Sequence, residues 1–113
     1  MRDTIVIIPT YNEIENVEAI IRAVFAQEKA FNILIVDDNS PDLTGLKVKS
    51  LQKEFGDRLF LLERKLKTGL GTAYIDGFKW CLDRDYEYVF EMDADFSHNP
   101  NDLIKLYNAC HID

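Results

Sequence analysis

Four short apolar runs rich in β-branched and aromatic residues, each followed by a polar turn and then a segment of helical periodicity, constrain this fold more than any other feature. Thr4 to Ile8 is a continuous β-branched run ending at Pro9, the pattern of a strand buried on both faces in a parallel sheet. After the turn at Pro9 to Asn12, the apolar residues Ile14, Val17, Ile20, Ile21, Val24 and Phe25 recur at helical spacing. Asn12 with Glu15 three positions on has capping-box spacing, so a helix of about 12 residues is expected to start there. The alternation then repeats. A strand from Asn32 to Val36 leads through a polar loop, Asp37 to Thr44, to a weaker helix ending near Phe55, and a third strand runs from Leu59 to Leu62. A loop of basic residues and glycine precedes a helix over Thr72 to Leu82 and a strand over Tyr88 to Met92. A last helix is opened by Asn99-Pro100, where proline suits the first helical position.

Strict alternation with short loops predicts an α/β fold with a mainly parallel, Rossmann-like sheet whose right-handed crossovers put helices on both faces. With strand order 3-2-1-4, a crevice opens between strands one and four at their carboxyl ends, the expected ligand site. The chain has 113 residues, 47% of them hydrophobic, enough for one core, so residues 1–113 are read as one domain. Thirteen basic against twenty acidic residues leave a net charge of −7, which repels nucleic acid and anionic bilayers. No nucleic-acid partner is expected, and a polyanionic ligand would need a local cation or a metal. Cys81 and Cys110 form no C-x-x-C pair and are read as reduced packing thiols. The first apolar run is too short for a signal peptide or a membrane span, and a cytoplasmic location is expected.

Three polar clusters follow strands one, two and four: Thr10-Tyr11-Asn12-Glu13, Asp37-Asp38-Asn39-Ser40 and Asp93-Ala94-Asp95. Asn, Asp and Ser are ordinary turn and capping residues, which could explain any one cluster. Asp93 and Asp95 can also be solvated loop carboxylates, since Asp-x-Asp is a common tripeptide, but their spacing carries a second reading. Residues two apart in an extended segment project to the same side, where two carboxylates repel unless a cation lies between them. Hard ions such as Mg2+ and Mn2+ prefer such oxygens and leave positions for a substrate diphosphate.

Asp38 stands where nucleotide-binding α/β folds place an acid against a ribose or base donor, whereas Asp37 can cap the turn. Tyr11 can lay its ring against a base, with Glu13 accepting a hydrogen bond from it. Arg64 to Tyr74 combines three cations with two glycines before a helix, a plausible phosphate contact. It is not a dinucleotide fingerprint, because Tyr74 replaces the third glycine and the element follows strand three. His98 is read as a local hydrogen-bonding residue.

Pro9-Thr10-Tyr11-Asn12-Glu13, Val36-Asp37-Asp38-Asn39-Ser40-Pro41-Asp42, Gly69-Leu70-Gly71-Thr72-Ala73-Tyr74 with Gly77, and Met92-Asp93-Ala94-Asp95-Phe96-Ser97-His98 together resemble the dolichol-phosphate mannosyltransferases and their bacterial polyprenyl-phosphate counterparts, within family 2 glycosyltransferases. The resemblance implies the GT-A nucleotide-diphospho-sugar fold and inverting transfer of mannose from GDP-mannose to a lipid phosphate at the cytoplasmic membrane face. It places GDP-mannose contacts on Pro9, Tyr11, Glu13, Val36, Asp38, Asp93, Ala94 and Asp95, with Asp93, Asp95 and Ser97 holding Mg2+ or Mn2+ and the two aspartates counted as catalytic.

Two departures matter. Leu43 stands where the family usually has glycine, so the turn after strand two is expected to be reshaped, because leucine tolerates positive φ poorly. Family members also continue well beyond the Asp-Ala-Asp helix. The chain is therefore expected to be a truncated part of the domain, inactive alone, with an uncovered sheet edge and apolar helix face that favour self-association. Rival readings are another family 2 enzyme using a UDP-sugar and a hydroxyl acceptor, and a module that binds nucleotide without turnover. A response-regulator receiver is disfavoured, since its paired acids follow strand one.

Overall fold

The computed structural model describes residues 4–27, 30–65 and 70–94. Its elements follow in the order β1 (Thr4–Thr10), α1 (Val17–Phe25), β2 (Asn32–Asp37), α2 (Thr44–Phe55), a 3-10 turn (Gly56–Arg58), β3 (Leu59–Glu63), α3 (Leu70–Leu82) and β4 (Tyr88–Glu91). The strands form one sheet in the order β3-β2-β1-β4, all parallel, with Ile7 facing Leu34 on one side and Glu91 on the other. The expected alternation and strand order are both present. The helix opened by Asn99-Pro100 lies outside the described residues.

Period-2 alternation divides the apolar residues of β1 and β2 between two cores. Val6, Ile8, Ile33 and Ile35 point toward α1 and α2, where they meet Val17, Ile20, Ile21, Val24, Val48 and Leu51. Ile5, Ile7, Leu34 and Val36 point the other way, toward Ala73 and Cys81 of α3. Both central strands are thus buried on both faces, which is why their sequences read as unbroken apolar runs. Outward on α3, Ile75, Phe78 and Leu82 are exposed. Among the described residues, β3 and β4 are the outer strands.

The start of α1 differs from the capping-box reading. Asn12 has φ 57°, and its backbone N–H donates to Ser40 Oγ, so it belongs to the turn. The carbonyl of Glu13 accepts from the N–H groups of both Asn16 and Val17, and the helix begins at Val17 with nine residues. Leu43 also differs. The turn is not reshaped: Leu43 sits at φ 72° and ψ 21° before the first residue of α2, so leucine occupies the left-handed conformation that suits glycine.

Candidate functional site

The carboxyl ends of β1, β2 and β4 meet at one edge of the sheet because β1 lies between the other two. Asp37 stitches the first two tails together. Its Oδ1 accepts from Thr10 Oγ1 at 2.7 Å and from Ser40 Oγ at 2.6 Å, and its Oδ2 accepts from the Ser40 N–H at 3.0 Å. Ser40 Oγ in turn accepts from the Asn12 N–H at 2.9 Å. Three donors on a carboxylate that is 1% exposed give Asp37 the turn-capping role.

Asp42 links the same two loops. Its Oδ2 accepts from the Ile14 N–H at 3.1 Å, and its Oδ1 from the N–H and hydroxyl of Thr44. Burial pushes its carboxyl pKa up, but the Thr44 hydroxyl and the backbone N–H groups outweigh that, and the net shift is downward. Thr44 Oγ1 also accepts from the Glu13 N–H, so Glu13, half-buried, is held beside Tyr11, which is 38% exposed. Asn16 Nδ2 donates to Glu13 Oε1 at 3.4 Å. Pro9 and Val36 pair across the sheet just below, Val36 fully buried.

Asp38 is nearly buried, and both of its oxygens accept from Arg64, at 2.6 Å from Nε and 3.1 Å from Nη2. Arg64 also donates to Asp76 at 3.0 Å and to Thr72 Oγ1 at 3.2 Å. This corrects the reading of Arg64 as a phosphate cation: its guanidinium is turned inward, tying β2 to the first turns of α3. Of the other two cations in that loop, Lys65 is exposed and Lys67 lies outside the described residues.

Asp93 follows β4, half-buried between Met92 and Ala94, which are 1% and 3% exposed. The Met92 N–H donates to the Ile7 carbonyl at 3.0 Å, extending the strand contact to the residue before the site. Tyr74 Oη donates to Asp93 Oδ1 at 2.9 Å. Asp95 and Ser97 lie outside the described residues. Among the described residues no three His, Cys, Asp or Glu side chains converge on one point. Asp93 nonetheless contributes the hard oxygen donor that suits Mg2+ or Mn2+, and two further oxygen donors, Asp95 and Ser97, follow it in sequence.

Sequence reasoning missed Tyr74 and the inward role of Arg64. The signal was only partial: an aromatic hydroxyl and an arginine flanking a glycine-rich loop, with partners 19 and 26 residues away.

A parallel sheet with acids gathered at its carboxyl edge is an α/β arrangement that many nucleotide-binding domains share, and similarity to known proteins narrows it to the GT-A glycosyltransferases. Residues 5–111 match the model of glycosyl transferase family 2, and the chain belongs to that family. It is 47% identical over 106 residues to the polyprenol monophosphomannose synthase of Mycolicibacterium smegmatis, covering 94% of this chain and 40% of that protein. It is 44% identical over 103 residues to the undecaprenyl-phosphate mannosyltransferase of Micrococcus luteus, covering 91% and 42%. The chain thus spans about two fifths of the length of these curated relatives. The mannosyltransferase PcManGT from Pyrobaculum calidifontis, solved with GDP-Man and Mn2+, superposes with a TM-score of 0.65 at 26% identity, over 71% of this chain and 25% of that one. Among the described residues no helix is long and apolar enough to cross a membrane.

Proposed function

We propose that this chain is the donor-binding part of a mannosyltransferase that moves mannose from GDP-mannose to a polyprenyl phosphate with inversion. The observation that carries the reading is the gathering of Tyr11, Glu13, Asp38 and Asp93 at one sheet edge by the order β3-β2-β1-β4, in a chain close to two polyprenyl-phosphate mannosyltransferases.

Asp93, with Asp95 and Ser97, offers oxygen donors for Mg2+ or Mn2+, beside the donor's diphosphate. A divalent ion there supplies Lewis-acid stabilisation of the leaving diphosphate, on the order of several kcal/mol. The Tyr11 ring presents an apolar face to the base, and Glu13 accepts from its N–H groups. Asp38 accepts at the base or ribose with the lone pairs that Arg64 does not use, since a carboxylate has about four such sites. Pro9, Val36 and Ala94 form the backbone floor. A lipid phosphate acceptor carries about −1.5 to −2 charge near pH 7 and attacks without a general base. The chain then works as a peripheral domain at the cytoplasmic membrane face.

The test is calorimetric binding of GDP-mannose with and without Mn2+, alongside UDP-glucose and repeated for D95A. The expected result is metal-dependent GDP-mannose binding that D95A abolishes. Tighter binding of UDP-glucose would favour a UDP-sugar enzyme, and unchanged metal-dependent affinity in D95A would remove that residue from the site.

A further inference from the structure

Tyr74 of α3 donates directly to the carboxylate after β4, and the proposed activity gives it no part. It lies in the second turn of α3, half-buried against the core formed by Ile5, Ile7, Leu34 and Val36. Its hydroxyl reaches Asp93 Oδ1 at 2.9 Å. The mount is rigid from three directions. Gly77, one helical turn on, has no room for a Cβ against Ile7. Thr72 and Asp76, on either side of Tyr74, are both bound by Arg64. On the other side of the contact, Met92 and Ala94 are buried and Met92 is hydrogen-bonded to β1. The backbone carrying Asp93 and the ring facing it are thus both held in place by the surrounding packing and hydrogen bonds.

We infer that Tyr74 is a positioning residue for the metal site: its hydroxyl holds Asp93 Oδ1 and so sets the carboxylate's rotamer before a divalent ion binds. This rests on the donor-site reading above, in which Asp93 is a metal ligand. The physical basis is general. A ligating carboxylate is itself hydrogen-bonded in most metal sites, and removing such an outer partner weakens metal binding by about 10–100-fold. A phenol serves here because one neutral donor orients the carboxylate without cancelling the negative charge that attracts the ion, as an arginine or lysine would. A bland alternative exists: a half-buried phenol must find some acceptor, and Asp93 is simply within reach. In that case the bond contributes to folding and nothing to metal affinity.

The two roles separate in one variant. Tyr74→Phe keeps the ring in the core and removes only the hydroxyl. Mn2+ affinity is read from the electron paramagnetic resonance signal of the free aqua ion, with saturating GDP present, and the melting curve is recorded without metal. The positioning role predicts an Mn2+ dissociation constant raised about tenfold, with the metal-free melt close to wild type and a smaller Tm increase on adding Mn2+. A lowered metal-free Tm with unchanged Mn2+ affinity would overturn it and leave Tyr74 a packing residue. If the wild-type chain binds GDP but no Mn2+, the metal reading of Asp93 falls and takes this role with it. Wild-type Mn2+ binding that Y74F leaves untouched sinks the positioning role alone.

Discussion

A methyl group placed on Gly77 would lie 2.8 Å from Cγ2 and 3.1 Å from Cδ1 of Ile7, so α3 packs on the Ile7 side chain too closely at this point for any residue with a Cβ. Ile7 is fully buried in the centre of the sheet, and its β-branched side chain cannot swing clear.

Gly77→Ala is therefore expected to destabilise the chain although it improves helix propensity. Overpacking costs about 1–3 kcal/mol, against a propensity gain of about 1 kcal/mol. Gly71, in the same helix, has nothing among the described residues within 4 Å of an added Cβ, so G71A should be neutral or stabilising. Denaturant melts should place G77A below wild type and G71A at or above it; a G77A chain as stable as G71A would refute the close contact.

Leu43 gives a prediction of the other sign. At φ 72° it occupies a conformation that costs an L-residue roughly 1–2 kcal/mol, and with the residue 60% exposed little packing offsets that. Glycine relieves the strain but loses about 0.4–1 kcal/mol through the unfolded chain. L43G should then gain about 0.5–1 kcal/mol and raise Tm by a few degrees, whereas a lower Tm would mean that Leu43 contributes an unrecognised contact.

These two positions show what was legible in the sequence and what was not. The strands follow from unbroken apolar runs such as Ile5 to Ile8, which a sheet covered on both sides buries, and their order from the winding common to alternating βα units. The capping-box spacing of Asn12 and Glu15 misled because it is a local pattern, whereas the start of α1 is set by Ser40 and Thr44, 28 and 31 residues from their partners Asn12 and Glu13. The family's glycine at position 43 pointed to the left-handed turn, but not to the hydrogen bonds of Asp42 that keep it in place around leucine. Similarly, the stretch from Arg64 to Tyr74 read as a plausible phosphate contact because nothing local to Arg64 reveals Asp38.

Asp42 makes stability depend on acid. Its folded-state pKa lies below the ordinary value, so its contribution is fully present above the unfolded pKa of about 3.9 and is lost as pH falls through the lower folded value. Wild-type stability should be level near neutrality and fall below about pH 4. Asp42→Asn should be less stable at pH 7 and show a shallower acid limb. Parallel limbs for the two proteins, in urea melts from neutral to acid pH, would assign the acid sensitivity to other carboxylates.

The pairing of Asp38 with Arg64 bears on both folding and binding. The two side chains are 7% and 8% exposed, and removing one partner of a buried pair typically costs about 3–5 kcal/mol because the other is left uncompensated. Arg64→Met should therefore destabilise the chain severely, and the double variant R64M/D38L, which removes both charges, should recover much of the loss. D38N keeps the shape of the side chain and an oxygen for Arg64, so it tests ligand binding with less damage to the fold. If Asp38 contacts the nucleotide, D38N should weaken GDP binding in calorimetry by more than its loss of stability explains, under conditions where it is fully folded. If folded D38N binds GDP as wild type does, Asp38 serves only as the counter-ion of Arg64, and recognition of the base falls to Glu13 and Tyr11.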